Sequence, residues 1–293
     1  VVKTRYRWIV LFLTPPLLIY LFFVVFPLLS SFYYSFTDWN GFAVDYNQIG
    51  FANFEKLFRD PLFGKALTNT VLWTVAAIVI PTGIGLTLAL ALHGRNFIGN
   101  LYKSLFYLPI SLALAVIGQI WLWIYQPDWG LINTFVRAIG HPEWSTAWLA
   151  KPQYALLGVI IAWAWQQIAL SMVIFLAGLT AIPQELIEAA EIDGANYWQR
   201  VRHVIIPLLA PASVVVIALA VINSLKSFDV LYVMTKGGPF HSSDNLAMFM
   251  YNESFQKYNM GYGSAIAVVL FMITLAVIVV YFRQSANAEH LYD

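Results

Sequence analysis

The chain of 293 residues is 60% hydrophobic and 16% aromatic but only 11% charged, against about 25% charged in an ordinary soluble domain, so it needs a bilayer to hide in. A net charge of +1 and the lack of a phosphate-cradling lysine loop argue against nucleic-acid binding and against nucleotide hydrolysis by this chain. Without cysteine there is no disulfide framework or thiol chemistry, which leaves the redox compartment open. His93, His141, His203, His241 and His290 share no ligand spacing, so no metal is expected.

The first apolar run, residues 8–36, follows Lys3, Arg5 and Arg7. It begins like a signal peptide but has no Ala-x-Ala-like cleavage site, and it reads as a retained anchor. It is long enough for a hydrocarbon core that needs about 20 residues, with Pro15, Pro16 and Pro27 expected to bend it. Further spans are expected at residues 68–92, 103–125, 154–179, 204–228 and 263–282. With the first they make six, which puts both termini on one side. Lysine and arginine divide evenly between the two sides. The shorter inside segments have the higher basic density, however, and the cluster at Lys3, Arg5 and Arg7 lies beside the first span. Both features favour cytoplasmic termini. The outer loops are then 37–67, 126–153 and a last one reaching Tyr262, aromatic rather than charged. Residues 53–58 could form a short helix at the membrane surface, and Trp129, Trp144 and Trp148 suit the interface belt. Lys236-Gly237-Gly238-Pro239 is a turn by composition.

Spans four and five each carry a polar face. Trp163, Gln166, Gln167 and Ser171 fall on one side of a helix with about 3.6 residues per turn, as do Asn223, Ser224 and Ser227, with small Ala220 one turn earlier. Polar side chains inside a bilayer are costly unless they have a partner or a cavity. Amides and hydroxyls suit a sugar's hydroxyl groups and an aromatic ring suits its C–H face, with Trp163 as the stacking ring. The alternative is that these groups are interhelical hydrogen bonds that hold the bundle together. Gln119 and Trp123 offer a weaker third wall. Lys226 and Asp229, three residues apart, are expected to neutralise each other at the outer interface. The sharper alternative has Lys226 meeting an anionic substrate.

Between these spans lies a polar island from Ala181 to His203. Pro183 suits a first helical turn, Glu185 favours the positive end of the helix, and Gly194 can take the left-handed conformation that ends it. A second short helix is expected near Asn196. The acidic and aromatic groups of this hairpin must face water or another protein, which makes it a docking surface. An interfacial hairpin without a partner is the plainer alternative, and it leaves Trp198 unexplained.

The run Glu188-Ala189-Ala190-Glu191-Ile192-Asp193-Gly194-Ala195, followed by Val204-Ile205-Ile206-Pro207-Leu208-Leu209-Ala210-Pro211, resembles the EAA loop of ATP-binding-cassette importer permeases. In that family the loop is the coupling helix seated in a cleft of the cytoplasmic ATPase. The resemblance therefore implies an ATPase-coupling role for Glu185, Glu188, Ala189, Ala190, Asp193, Gly194 and Trp198, and it agrees with the orientation drawn from charge. Gly50-Phe51-Ala52-Asn53-Phe54, Asn69-Thr70, Pro109, Gly130 with Asn133, Thr235-Lys236-Gly237-Gly238-Pro239 and Gly261-Tyr262-Gly263-Ser264-Ala265 recur in order as in the MalF type of sugar permease. The chain is shorter than MalF, lacking extra N-terminal spans and a large external domain. It is similar to the compact six-span branch, which includes permeases for oligosaccharides and for glycerol phosphate.

What the resemblance implies is an all-α integral membrane protein, a six-span importer permease of type I with a MetI-like core. Residues 1–65 would form the anchor span and an external loop, and residues 66–293 the permease core, with the coupling loop at about 180–211. Its partners would be a second homologous permease, two ATPase subunits that bind ATP and magnesium, an extracytoplasmic solute-binding protein, the bilayer and a sugar; the chain itself would hold no cofactor. The location would be a bacterial or archaeal inner membrane, and the activity oligosaccharide import by alternating access. An anionic cargo is one alternative, and a channel or structural subunit another. A membrane-embedded enzyme is a third, but no two acids and no His–acid pair sit at a span end with reactive spacing.

Overall fold

The computed structural model describes residues 2–94 and 97–289, with side chains for 11–94, 102–281 and 283. His290 and the side chains of Lys3, Arg5 and Arg7 lie outside them. Apart from one antiparallel bridge between Thr37 and Gln48, the regular structure of the described residues is helical. In chain order the helices are α1 (Val2–Tyr20), α2 (Phe26–Tyr34), α3 (Ala52–Arg59), α4 (Pro61–Leu92), α5 (Phe97–Tyr107), α6 (Leu114–Ile124), α7 (Leu131–Ala138) and α8 (Pro152–Ala181). They continue with α9 (Gln184–Ile192), α10 (Tyr197–Arg200), α11 (Ile206–Leu208), α12 (Ala210–Leu225), α13 (Asp229–Met234), α14 (Leu246–Tyr251) and α15 (Met260–Glu289).

Among the described residues four segments, Leu11–Tyr34, Pro61–Leu92, Pro152–Ala181 and Met260–Tyr281, are long and apolar enough to cross a bilayer alone. Two bent pairs raise the number to six if each is one span. Tyr102–Ser111 meets Leu114–Ile124 at 109°, and Tyr197–Leu208 meets Ala210–Leu225 at 68°. The third and fifth runs, each expected as one span, are therefore helices bent at a break. In the third, Pro109 sits in a 3₁₀ turn, Leu108–Ser111, and Leu112 and Ala113 then adopt extended backbone with ψ of 138° and 145°. In the fifth, a π-helical turn, Val201–Ile205, precedes Pro207, and Leu209 leaves the helix at φ −83°, ψ 2°. Proline removes a donor and its ring crowds the carbonyl four residues back, and here Pro207 and Pro211 act in succession. In the first run, by contrast, Pro15 and Pro16 are accommodated inside α1, and the irregularity is the π turn Leu21–Val25 that leads into α2.

The chain forms two compact units. One comprises the residues up to Phe63 together with Phe249–Ile273, the other Gly64–Met248 together with the chain from Thr274. In the first unit the short helix expected near residue 53 is present as α3. Its buried Asn53 donates through Nδ2 to Ser35 O at 2.9 Å and Thr37 O at 2.8 Å. Gly261 N donates to Trp39 O at 2.8 Å, and a Cβ at Gly261 would lie 2.0 Å from Thr37 O. The Tyr262 hydroxyl donates to Asp60 Oδ2 at 2.9 Å while Lys56 Nζ lies 4.1 Å from the Tyr262 ring centre. The motifs around Asn53 and Gly261 are thus two halves of one joint.

In the second unit the core gathers Ala89 and Leu92 of α4, Met172, Phe175 and Leu179 of α8, Val201 and Ile205 of the π turn, and Leu209 and Val216. α4 and α8 approach closely at Gly85, where a Cβ would lie 2.6 Å from Ser171 Cβ and 2.9 Å from Met172 N. Small residues allow such backbone approach where lipid supplies no hydrophobic drive between helices. Buried Asn69 donates to Ser242 O at 3.0 Å and Asp244 O at 2.8 Å, and Leu246 N donates to Thr70 Oγ1 at 3.0 Å. The hydroxyls of Thr235 and Ser243 lie 2.8 Å apart, so the turn at 235–239 is closed on itself beside a clamp from α4. Asn133 plays the same part in the 126–153 segment, donating to Pro127 O and Thr146 O and accepting from Trp148 Nε1 at 2.9 Å. Trp129 and Trp144 are exposed, as interface anchors would be. Trp148 is half-buried and tied into its own loop.

Candidate functional site

The helical hairpin after α8 is built by short-range chemistry. α9 ends at Ile192, and Gly194 takes φ +82°. Gly194 N donates to Glu191 O and Ala195 N to Ala190 O, both at 3.0 Å, the paired bonds that close a helix at a left-handed glycine. Asn196 then starts α10 with a capping box: its Oδ1 accepts from Gln199 N at 3.0 Å, and Gln199 Oε1 accepts from Asn196 N at 2.8 Å. Arg200 and Glu191 form an ion pair at 2.6 Å that ties the two helices together.

The hairpin exposes large apolar side chains as well as acidic ones. Ile192 is 87% exposed and Trp198 74%; the Tyr197 ring stands edge-on to Trp198 at 5.4 Å. Glu185, Glu188, Ala189, Asp193 and Gly194 are exposed, and Ala190 is half-buried. Large apolar side chains left exposed near one another are what an interaction surface needs. Beyond Arg200 the chain turns inward, and Val201 and Ile205 enter the core formed with α4 and α8. The hairpin is thus continuous in the chain with the packed helices.

The polar faces of α8 and α12 meet in part. Asn223 Nδ2 donates to Gln167 Oε1 at 3.1 Å, Gln167 Nε2 to Gln166 Oε1 at 3.4 Å, and Gln166 Nε2 to Leu112 O at 2.7 Å and Pro109 O at 3.3 Å. Three amides thus run from α12 across α8 to the break in the third run. Ser171 is buried and lines, with Gln167 and Ala220, a crevice of about 10 Å³, room for about one water. Ser224 is buried, its Oγ 3.0 Å from Thr74 Oγ1 and 2.9 Å from Val221 O. Ser227 is buried too, and its Oγ has no partner among the described residues. Trp163 is fully buried, edge-on to Trp73 with ring centres 6.0 Å apart. In this conformation neither face of its ring is open for stacking on a sugar. Gln119 and Trp123 are exposed on α6, outside the amide chain.

The expected pairing of Lys226 with Asp229 is not made. Lys226 caps the end of α12 and Asp229 opens α13, so the two do not share a continuous helix, and no ion pair joins them among the described residues. The Asp229 carboxylate sits instead in a first helical turn, where the backbone dipoles favour it. The carbonyls of Pro109 and Leu112 and the hydroxyl of Thr74 are the site groups that sequence reasoning missed. The one signal for them was Pro109, since a proline in a span frees backbone groups that other side chains must satisfy.

A family model described as "Binding-protein-dependent transport system inner membrane component" matches residues 80–287. A probable ABC transporter permease protein of Pyrococcus horikoshii is 36% identical over 282 residues, covering 96% of this chain and 97% of its own length. The probable starch degradation products transport system permease protein AmyD of Thermoanaerobacterium thermosulfurigenes is 36% identical over 287 residues, covering 96% of each chain. Among solved structures, a bacterial ABC transporter involved in the import of the acidic polysaccharide alginate superposes with a TM-score of 0.85. It is 18% identical and covers 98% of this chain and 97% of its own. At that identity the likeness is one of fold.

Proposed function

We propose a function for a chain that, by the match over residues 80–287, belongs to the family of binding-protein-dependent transport system inner membrane components: it is a permease subunit of an ATP-driven importer of oligosaccharides. The observation that carries this reading is the α9–α10 hairpin, firmly capped, with large apolar side chains exposed, and continuous in the chain with a buried core. An ATPase subunit seated on Glu185, Glu188, Ala189, Ala190, Asp193, Gly194 and Trp198 would move Val201 and Ile205, and with them α8 and α12.

In this reading residues 1–65 are anchor and external loop, residues 66–293 are the permease core, and both termini are cytoplasmic. A second homologous permease completes the pathway, two ATPase subunits bind ATP and magnesium, and an extracytoplasmic solute-binding protein delivers the sugar. The path follows Gln166, Gln167 and Asn223 at the break in the third run. Trp163, Ser171, Ser224 and Ser227 form its wall once the helices part in the outward-open state. A sugar displaces amide–amide bonds there with bonds of the same kind. The cargo named for the AmyD relative, starch degradation products, supports a neutral oligosaccharide.

The test is reconstitution of the purified transporter in vesicles with its solute-binding protein. An ATPase should copurify, and sugar-loaded binding protein should stimulate its hydrolysis and drive uptake. A permease that purifies without ATPase, or uptake that ignores ATP, would overturn the reading. Lys226→Gln separates the cargo classes. Lys226 is exposed and unpaired with Asp229, so a neutral cargo leaves uptake unchanged. An anionic cargo loses a charge-assisted bond worth about 1.5–3 kcal/mol, roughly ten- to hundredfold, and Lys226→Arg restores much of it. We expect the neutral outcome, because the amide path carries no charge.

A further inference from the structure

The surface between α6, α8 and the 126–153 segment is hollowed. Two adjoining hollows share Ile132, Trp148 and Tyr154 as a common wall. The deeper one, of about 260 Å³, is walled by Trp121, Tyr125, Leu157 and Ile161 and is almost wholly apolar. The outer one, of about 490 Å³, adds Glu143, Ser145, Thr146 and Lys151. Trp148 is fixed between them by its bond to Asn133 Oδ1 at 2.9 Å. The hydroxyls of Ser145 and Thr146 are buried without a hydrogen-bond partner among the described residues, and Lys151 makes no ion pair there. Glu143 is 2.9 Å from His141 Nδ1 and largely exposed.

From this geometry we infer that the cleft binds one phospholipid with an ethanolamine headgroup. Lys151 precedes the first residue of α8, at the water boundary of that span. Ile161 lies ten residues further along, roughly 15 Å at the helical rise per residue. That is about half of a hydrocarbon core some 30 Å thick, the depth of one leaflet. The two hollows together follow this length, and Leu157 and Ile161 leave the side of the apolar one open. An acyl chain lies against the tryptophan and tyrosine faces. The phosphate meets Lys151, and the ammonium meets Glu143. Opposite charges in one polar hollow match a zwitterionic headgroup better than a purely anionic one.

Native mass spectrometry of the assembled transporter, exchanged into bilayer discs of equal phosphatidylethanolamine and phosphatidylglycerol and then released into mild detergent, tests the assignment. Wild type should retain one phosphatidylethanolamine on this chain. Lys151→Glu should lower retention about tenfold or more, the loss of a charge-assisted contact, and Lys151→Arg should keep it. Leu157→Trp, an exposed position whose larger ring fills the apolar hollow, should expel the lipid while the complex stays assembled. Unchanged retention in both disruptive variants overturns the inference, and so does equal retention of the two lipids. An assembled wild type that carries no lipid also overturns it, since a protein neighbour would then cover the cleft.

Discussion

Gln166 shows why a polar residue in a span cannot be assigned from its periodicity alone. The offsets that place it beside Gln167 are correct, but its Nε2 bonds Leu112 O and Pro109 O on a different helix segment. Its first role is to satisfy backbone that the break exposes. Gln166→Leu should therefore lower both uptake and the thermal unfolding temperature of the detergent-solubilised protein, since a buried carbonyl left without its donor costs about 1–3 kcal/mol. Asn223→Leu, at the other end of the amide chain, strands no backbone group and should lower uptake about tenfold with a smaller change in melting. A Gln166→Leu protein that melts like wild type would show that the bond to Leu112 is not structural. Asn53, Asn69 and Asn133 teach the same lesson. Each was legible as part of an ordered motif, yet each is a clamp on loop carbonyls. Asn69 and Ser242 are 173 residues apart, and a reading along the chain has no access to pairs at that distance. Trp163 was expected to stack on a sugar, and it is fully buried. Its neighbour Trp73 belongs to another helix.

Elements governed by local chemistry were legible, and those governed by competition between prolines and packing were not. The hairpin belongs to the first kind: Gly194 does adopt a positive φ, and Asn196 does cap the second helix. Broken helices belong to the second, because Pro15 and Pro16 are tolerated inside α1 while Pro109 and Pro207 accompany sharp bends. The hairpin also yields the element-scale prediction. Proline fixes φ near about −65°, opposite to the +82° of Gly194, and it removes the donor that bonds Glu191 O. Gly194→Pro should reorient α10 and Trp198 while leaving the spans inserted. Binding protein loaded with sugar should then no longer stimulate ATP hydrolysis, and uptake should fall to background. Gly194→Ala keeps the donor and faces only the left-handed penalty of about 1–2 kcal/mol, so it should be partly coupled. A proline variant with normal coupling would mean that the hairpin is not the ATPase seat.

At the scale of the whole molecule, the two broken helices decide which side of the membrane the hairpin occupies. Among the described residues four segments are long and apolar enough to cross on their own, and six if each bent pair is one span. With cytoplasmic N-terminus and six spans, the loop at Val44, the segment at Glu143 and the turn at Phe240 lie outside, and Ile192 lies inside with the ATPase. With four, Val44 stays outside, Glu143 moves in, and Ile192 moves out, where no cytoplasmic ATPase can reach it. If the third run crosses and the fifth does not, Phe240 alone changes side and the C-terminus emerges outside. The chain has no cysteine, so a single substitution at each position supplies the only thiol. Val44, Ile192 and Phe240 are each at least 85% exposed, and Glu143 is exposed as well, which leaves a reagent free to reach them. On intact cells a membrane-impermeant maleimide should label Val44→Cys, Glu143→Cys and Phe240→Cys, and should label Ile192→Cys only after permeabilisation. The prolines then bend their helices within the bilayer, where side chains such as Gln166 satisfy the freed backbone. Labelling of Ile192→Cys from outside would remove the coupling role from the hairpin, however well its exposed face suits a partner.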